Sequence, residues 1–496
     1  MTRKVRQFMF WALFMVFITV SPMAVLYARG YRFDIAKKRF VSTGAIFIKS
    51  EPSGAVISIN GVRRGITASP FQDALTKPGL IANIIPGEYD IRVERTGYKP
   101  WVKKLLVRAR EVTEARNIFL FPEGNEPKTL YFTTPEDVLI SPDGSLAAVA
   151  SRSDATSWIA IIDTTTRQSD TAFAITEEKN RRGVYSQTAL TLHRFFDNNR
   201  KLVVEARRGG TVLNMRQIDL RNPANSLAVS ATSLKPAIAG GNPLLFADEN
   251  LVLWKDADYA LWEWPYRQNL PQQLITASAW TVAIGGGNII TIEGVPPLLA
   301  SRPIGQISSR QLAVDPFTDA ADGMPVFSVE PAGRRYAVLI APPNAQSGTV
   351  WLVDEDGRRQ MLREHVTAIS RSPDGKKLLM RSMHELWIYY LDDVLVQPIH
   401  KRGEQVLVAR FGTRIKDARW HPASNDYIFY VITEGLFAIE LDDRGSVRNN
   451  AQLVRDGTVR VEHITEEAAF IIMQNRLARF NLTPDPKVAP VPGEIK

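Results

Sequence analysis

A recurring unit of short strands and tight turns fills the chain from about residue 137 onward. In two close copies, Ser141-Pro-Asp-Gly144 and Ser372-Pro-Asp-Gly375 precede an apolar strand, and a strand from Trp to Asp follows. Less regular copies begin near Phe196, Ala247, Gly285, Glu330, His421 and Thr465. These eight units average about 43 residues, the period of a four-stranded propeller blade. We therefore predict a mainly β chain with a propeller of eight blades, or seven if Gly285–Gly287 is an insertion.

The ends of the repeat region predict how the ring closes. A fourth, more polar strand follows the third in typical units, for example at 360–365 and 452–455. The last unit stops after its third strand, at 477–482, and a Pro-rich tail follows at 483–496. We expect residues 128–132 to supply the missing outer strand, which would remove a free sheet edge. The propeller is thus assigned to residues 122–482.

The Ser-Pro-Asp-Gly turns carry a resemblance to known propellers. A turn of this kind before the second strand resembles the blades of TolB-type, WD-type and dipeptidyl-peptidase propellers. Because such turns occur in propellers of many activities, the resemblance implies a fold and no particular function.

An uncharged run of 21 residues, Phe8–Ala28, lies near the N-terminus. About 20 helical residues cross the apolar core of a bilayer, so this run is long enough to span it. It exceeds the 7–15 apolar residues of a cleaved signal peptide, and Leu26-Tyr-Ala28 is a poor cleavage site. We predict an uncleaved transmembrane helix at 8–28, preceded by a basic tail at 1–7.

Basic residues flank this run on both sides, three before it and five in a juxtamembrane linker assigned to 29–43. The two flanks nearly balance under the positive-inside rule. Since a short basic tail before a first apolar run usually stays inside, we predict a cytoplasmic N-terminus and extracytoplasmic β-domains. An inward-facing assembly platform is the alternative.

The formal charge is unevenly distributed along the chain. The total is +9, of which residues 1–121 carry +12, and the remainder is therefore −3. A nucleic-acid-binding protein would carry its positive charge on the large domain. The distribution argues against nucleic acid and favours anionic lipid or an anionic wall polymer as the neighbour of the basic part. An ordinary basic flank beside a membrane helix explains this charge more simply than specific recognition does.

Residues 44–121 read as a small β-domain. Strands are predicted at 44–50, 55–59, 88–93, 101–107 and 114–121, and Asn60-Gly61 is a strong hairpin signal. Pro52-Ser-Gly-Ala55, Asn60-Gly61, Gly65…Thr67…Pro70, Pro86-Gly-Glu-Tyr89 and Gly97-Tyr98 together resemble the PEGA domain. Two departures from that pattern, Ser53 and the inserted Ala68-Ser69, fall in turns. The resemblance implies a sandwich-like β-module that binds or spaces and does not catalyse.

Residue types that carry chemistry are sparse. The chain has no cysteine, and its six histidines form no His-Glu-x-x-His motif, so we assign no metal site and no cofactor. A Gly-x-Ser-x-Gly motif is absent, and no carboxylate pair stands out. The acidic turns Asp354–Gly357 and Asp442–Gly445 are interpreted as hairpin turns. Most of the tryptophans are assigned to packing between blades, and only Trp264 and Trp280 are off register and could line a binding rim.

From sequence alone we expect a non-enzyme, with no catalytic residues and an unknown partner-binding surface. The predicted function is a monomeric, single-pass membrane scaffold of the bacterial cell envelope whose propeller binds a protein or a cell-wall glycan. A hydrolase acting on a glycan or peptide in the propeller channel is the alternative in a different class.

Overall fold

The computed structural model describes residues 3–34, 38–67, 79–177, 179, 185–209, 211–223, 227–230, 244–247, 251–255, 261–265, 272–275, 279–285, 288–294, 297–304, 309–312, 326–332, 334–342, 345–354, 356–445 and 447–483. It contains one N-terminal helix, a hairpin, a two-sheet β-module and eight further four-stranded sheets. The predictions of a mainly β chain, an N-terminal apolar helix and a propeller-like set of sheets are confirmed.

The helix α1 runs from Arg3 to Ala28 and therefore includes most of the predicted basic tail. Its residues Val5–Ala28 are long and apolar enough to cross a membrane. The segment expected to be a linker instead contains a hairpin, β1 (Tyr31–Asp34) and β2 (Arg39–Ser42). Thr43 Oγ1 donates a hydrogen bond of 2.7 Å to Gly30 O. The C-terminal end of the helix therefore lies beside the residue that precedes the strand beginning at Gly44.

The β-module packs two sheets against each other. Its strands are β3 (Gly44–Glu51), β4 (Val56–Ile59), β5 (Val62–Ile66), β6 (Leu80–Ile84), β7 (Gly87–Glu94), β8 (Trp101–Val107) and β9 (Val112–Phe119). One sheet has the order β6-β3-β9 and the other β5-β4-β7-β8. Inward side chains alternate with exposed ones along β8, as expected of a strand that is covered on one face. Strands β5 and β6 were not predicted, because neither has an alternating apolar pattern.

The first four propeller sheets are built in chain order. Their strands are β11 (Asp137–Ile140), β12 (Leu146–Arg152), β13 (Thr156–Asp163), β14 (Ser169–Thr176), β15 (Thr188–Phe196), β16 (Lys201–Arg208), β17 (Thr211–Asp219), β18 (Leu227–Ser230), β19 (Leu244–Ala247), β20 (Leu251–Lys255), β21 (Leu261–Pro265), β22 (Gln272–Ile275), β23 (Ala279–Gly285), β24 (Asn288–Glu293), β25 (Leu298–Pro303) and β26 (Arg310–Gln311). Each set of four consecutive strands forms one antiparallel sheet.

The last four sheets follow the same rule until the chain returns to its start. Their strands are β27 (Val326–Ala332), β28 (Arg335–Ala341), β29 (Gly348–Val353), β30 (Arg359–Val366), β31 (Ala368–Arg371), β32 (Lys377–Arg381), β33 (Glu385–Tyr390), β34 (Gln405–Arg410), β35 (Asp417–His421), β36 (Ser424–Ile432), β37 (Gly435–Glu440), β38 (Asn450–Val454), β39 (Arg460–Ile464), β40 (Ala468–Met473) and β41 (Arg476–Asn481). The eighth sheet takes its outer strand, β10 (Lys128–Tyr131), from before the first sheet.

This borrowed strand closes the ring as the sequence predicted. Strand β10 pairs antiparallel with β41, with Lys128 opposite Arg479. The first strands of the eighth and first sheets also contact each other. Leu130 is buried together with Phe470 and Leu477, so apolar packing joins the two ends of the repeat region.

The repeated Ser-Pro-Asp-Gly turns have one geometry. In the first sheet, Ser141 Oγ donates to Asp143 Oδ1 at 2.7 Å and accepts from Leu146 N at 2.9 Å. In the sixth, Ser372 Oγ makes the same two bonds at 2.6 and 2.9 Å. Gly144 adopts a positive φ of 72°, which glycine allows without steric cost. This turn sets the register between the first and second strands.

Candidate functional site

The alternating turns of each sheet define two faces of the propeller. One end of the propeller carries the turns that join the first strand of each sheet to the second, and the third strand to the fourth. We name this end the docked face. The open face is the opposite end, with the turns between second and third strands and the connections between sheets. The β-module lies against the docked face at the sixth and seventh sheets, and Phe119 at its end packs in one core with Phe480 of the eighth.

Two amide side chains of the propeller bind edge strands of the β-module. Gln397 donates from Nε2 to Val112 O at 3.1 Å and accepts at Oε1 from Glu114 N at 3.0 Å. Asn449 donates to Val102 O at 3.0 Å and accepts from Val102 N at 3.2 Å. Each amide thus pairs with backbone groups that an edge strand otherwise presents to solvent. Both sheets of the module are fixed to the propeller in this way.

A buried ion pair lies between these two contacts. The side chain of Lys103 is fully buried; its Nζ pairs with Glu440, lies 3.6 Å from Asp442 Oδ1 and donates to Asp442 O. Trp101 Nε1 donates to the other oxygen of Glu440 at 2.7 Å. Burial alone would raise the pKa of Asp442, but Arg444 and Lys103 outweigh burial and lower it. The junction therefore holds a charged, hydrogen-bonded cluster away from water.

Aromatic packing surrounds the end of β9. Phe119 and Phe121 belong to the same apolar core as Phe429 and Phe480 of the seventh and eighth sheets. Phe119 N donates to the hydroxyl of Tyr427 at 3.0 Å. The last strand of the module is consequently part of the propeller core, and the two β-units share one packed interior.

His421 is a buried member of this junction. Its ring lies 4.7 Å from that of Phe119 and stacks on Phe429, with 5.4 Å between centroids. Its Nδ1 accepts a hydrogen bond of 3.1 Å from Ala423 N. Burial lowers the pKa of His421 to about 4, so the ring is neutral at physiological pH. His421 is the last residue of β35 and directly precedes Pro422.

Arginines on the open-face side link neighbouring sheets. Arg381 of the sixth sheet donates to Lys416 O at 2.8 Å and lies 3.4 Å from Asp417 of the seventh. Arg419 of the seventh donates to Val461 O and Glu462 O of the eighth at 2.8 and 2.7 Å. These polar contacts, which we name the polar rim, join the sixth, seventh and eighth sheets to one another.

Two carboxylates on the first two sheets differ in their surroundings. Burial raises the pKa of Asp137, although backbone N–H groups of Leu192 and Val138 bind its oxygens at 2.7 and 2.9 Å. Burial would also raise the pKa of Glu205, but hydrogen bonds from His193 and Arg207 lower it. Asp137 thereby joins the first sheet to the second, whereas Glu205 is bound by side chains of its own sheet.

The other residues singled out from the sequence are spread over the fold. The histidines lie on different sheets or loops, and within the described ranges no group of three or more His, Asp or Glu could hold a metal. Asp354 O accepts from Gly357 N at 3.0 Å, as a hairpin turn requires. Trp351 and Trp387 pack against the cores between sheets. The side chains of Trp264 and Trp280 lie outside the described set.

The junction residues are the part of the site that the sequence reasoning missed. Lys103, Glu440, Gln397 and Asn449 were not selected, and Asp442 was treated only as part of a turn. One signal was present: Lys103 occupies an inward position of an alternating strand, between Trp101 and Leu105. A lysine at such a position requires a buried anionic partner.

Comparisons with known proteins agree with this architecture. Residues 43–119 match the family model described as the PEGA domain, which confirms the resemblance found in the sequence. No curated protein matches the chain significantly. Solved structures similar to this chain include the C-terminal WD40 domain of Sif2 (11% identity, TM-score 0.46, covering 73% of this chain and 99% of that one). The Dos1 propeller is similar at 12% identity and a TM-score of 0.47, covering 73% and 96%.

A third similar structure is BamB from Moraxella catarrhalis, at 11% identity and a TM-score of 0.43, covering 69% of this chain and 96% of that one. At such identities and scores these likenesses carry no argument about function. The propeller assignment stands on the sheet order and the closure by β10.

Replacing Lys103 by methionine should destabilise the folded chain strongly. The change leaves Glu440 and Asp442 buried without their cation, which typically costs about 3–5 kcal/mol. Lys104→Met is the matched control. The side chain of the neighbouring Lys104 is exposed, and its Nζ lies 3.8 Å from Oδ1 of Asp90, which is exposed as well. That control should change the free energy of unfolding by less than about 1 kcal/mol in urea titrations. Equal effects of the two substitutions would contradict the assigned role of the ion pair.

The buried His421 should make stability depend on pH. Its pKa is about 4 in the folded chain and about 6.5 when unfolded, so the unfolded state binds more protons between these values. The free energy of unfolding should therefore fall by about 3 kcal/mol as the pH drops from about 6.5 to about 4. His421→Phe should remove this part of the slope, and His384→Phe, at an exposed position, should keep it. A wild-type slope in His421→Phe would refute the assignment.

Proposed function

We propose that the protein is a membrane-anchored, non-catalytic scaffold of the cell envelope. In this proposal α1 spans the bilayer with its N-terminus in the cytoplasm. The β-module holds the propeller at a fixed position relative to the membrane, and the open face binds a protein or glycan partner.

The observation that carries this proposal is the junction at the docked face. A buried ion pair, two amide contacts to edge strands and a shared aromatic core all join the module to the propeller. A flexible spacer would need none of these contacts. Since the docked face is occupied at the sixth to eighth sheets, the open face is the surface best placed to meet a partner.

The surroundings of the carboxylates favour binding over hydrolysis. Glycoside hydrolysis requires two carboxyl groups at a set separation, one of them a general acid with a raised pKa. Asp137 and Glu330 have pKa values raised by burial, but they lie on the first and the fifth sheets, which are separated by three sheets in either direction around the ring. Asp417 is paired with Arg419 at 2.8 Å, and Glu462 with Arg460. These pairings suit a structural rim better than an acid and base pair.

The orientation of the chain can be tested because the sequence contains no cysteine. A Gln474→Cys variant places a single thiol at an exposed turn of the open face. In intact cells, a membrane-impermeant maleimide should label this thiol and should leave a Thr2→Cys variant unlabelled until the cells are lysed. The reverse pattern would support the inward-facing platform and reject the proposed orientation.

The partner-binding face can be tested by site-specific photo-crosslinking in cells. A photoreactive residue at the exposed open-face positions Glu434 and Gln474 should give discrete adducts, which an excess of purified chain should compete away. The matched controls are Arg167 and Asn198, which are exposed on the docked face away from the module. Adducts that form equally at all four positions, or at the controls alone, would reject the open face as the binding surface.

A further inference from the structure

A long connection of the sixth sheet presents apolar side chains to solvent. Residues 391–404 join β33 to β34, and we name them the blade-six loop. Leu395, Val396 and Ile399 in this loop are 79%, 46% and 61% exposed. Exposed apolar side chains that cluster in this way among polar residues mark a site of contact with a partner or a membrane.

The blade-six loop is held in a defined conformation. Val394 and His400 exchange backbone hydrogen bonds of 2.9 and 3.1 Å at the base of the loop. The imidazole of His400 stacks on Tyr390 with 4.2 Å between ring centroids. Asp392 Oδ1 accepts from Arg335 at 2.6 Å. The exposed apolar tip therefore projects from an ordered base.

Contacts along the β-module locate this loop near the helix end. Gln397 binds the backbone of Val112, and Val112 is the register partner of Ala45 in β3. Two residues before Ala45, Thr43 binds Gly30, just after the helix. From the spacing between strands and the rise per residue, the distance from Gln397 to Thr43 by way of Val112 and Ala45 is about 15 Å. The loop thus lies at the membrane-proximal end of the module.

Basic and aromatic residues surround the same end. Arg110 donates to the hydroxyl of Tyr31 at 2.9 Å, which joins the β8–β9 corner to the hairpin that follows the helix. Phe33 and Phe40 of that hairpin are 49% and 42% exposed and pack edge to face. Lys401 follows the loop tip and is also exposed. The acidic residues of the loop lie at its base and are bound there: Asp392 by Arg335, Asp393 by the backbone N–H of Arg402, and Glu404 by His400. Apolar side chains flanked by cations are the pattern of a surface that binds anionic lipid.

We propose that the blade-six loop inserts into the headgroup layer of an anionic bilayer and forms a second membrane contact beside α1. This inference rests on the proposed function, because the loop reaches the bilayer only if α1 spans it. Two contact points would restrict tilting of the propeller relative to the bilayer and would thereby fix the angle between the open face and the membrane.

The test uses the full chain in vesicles of three parts phosphatidylcholine and one part phosphatidylglycerol. An environment-sensitive fluorophore is attached to a single cysteine at Leu395→Cys, and lipids spin-labelled near the headgroup quench its emission. The matched control is Val447→Cys, an exposed apolar position (75%) on the neighbouring loop, beside β8. We expect quenching at position 395 to be at least about twofold stronger than at 447, as for a side chain buried in the boundary layer.

A third variant separates failure of the loop from failure of the anchor. A fluorophore on Val16→Cys in α1 should be quenched by lipids spin-labelled deep in the acyl chains if the helix spans the bilayer. Quenching at 16 with equal or absent quenching at 395 and 447 would overturn the loop contact and leave the anchor intact. Absence of quenching at 16 would overturn both.

Discussion

The buried ion pair of Lys103 with Glu440 and Asp442 is the interaction on which the arrangement of the two β-units depends. A charged amine enters a dry junction only when anions and hydrogen bonds compensate its lost hydration. Here the compensation comes from Glu440, at the end of the third strand of the seventh sheet, and from Asp442 in the connection that follows. The pair therefore fixes which sheet the module meets and in which register.

Around this pair, apolar packing and edge-strand contacts convert two domains into one unit. Phe119 extends the core of the last two sheets, while Gln397 and Asn449 satisfy the backbone of β9 and β8. A few residues after β9, strand β10 pairs with β41 and closes the propeller ring. The last strand of the module thus leads directly into the propeller, and these contacts fix the module against its sixth to eighth sheets.

Local patterns made much of the fold predictable. The Ser-Pro-Asp-Gly turns and the missing last strand predicted the sheets and their closure, because turn chemistry and strand counting are local properties of sequence. The hairpin of β1 and β2 was missed, since its charged residues resemble a linker. Junction partners such as Lys103 and Glu440 are 337 positions apart, and no local pattern can pair residues at that separation.

Whether the module and the propeller move as one body can be tested by electron–electron double resonance, which measures distances between two spin labels introduced into the cysteine-free chain. One spin label is placed at Lys104→Cys, an exposed position of β8, and the other at Gln474→Cys on the open face. The distance between the two labels spans the junction. A rigid junction should give one narrow distance distribution, which should broaden when Lys103 is replaced by methionine. A broad distribution in the chain with Lys103 intact would contradict it.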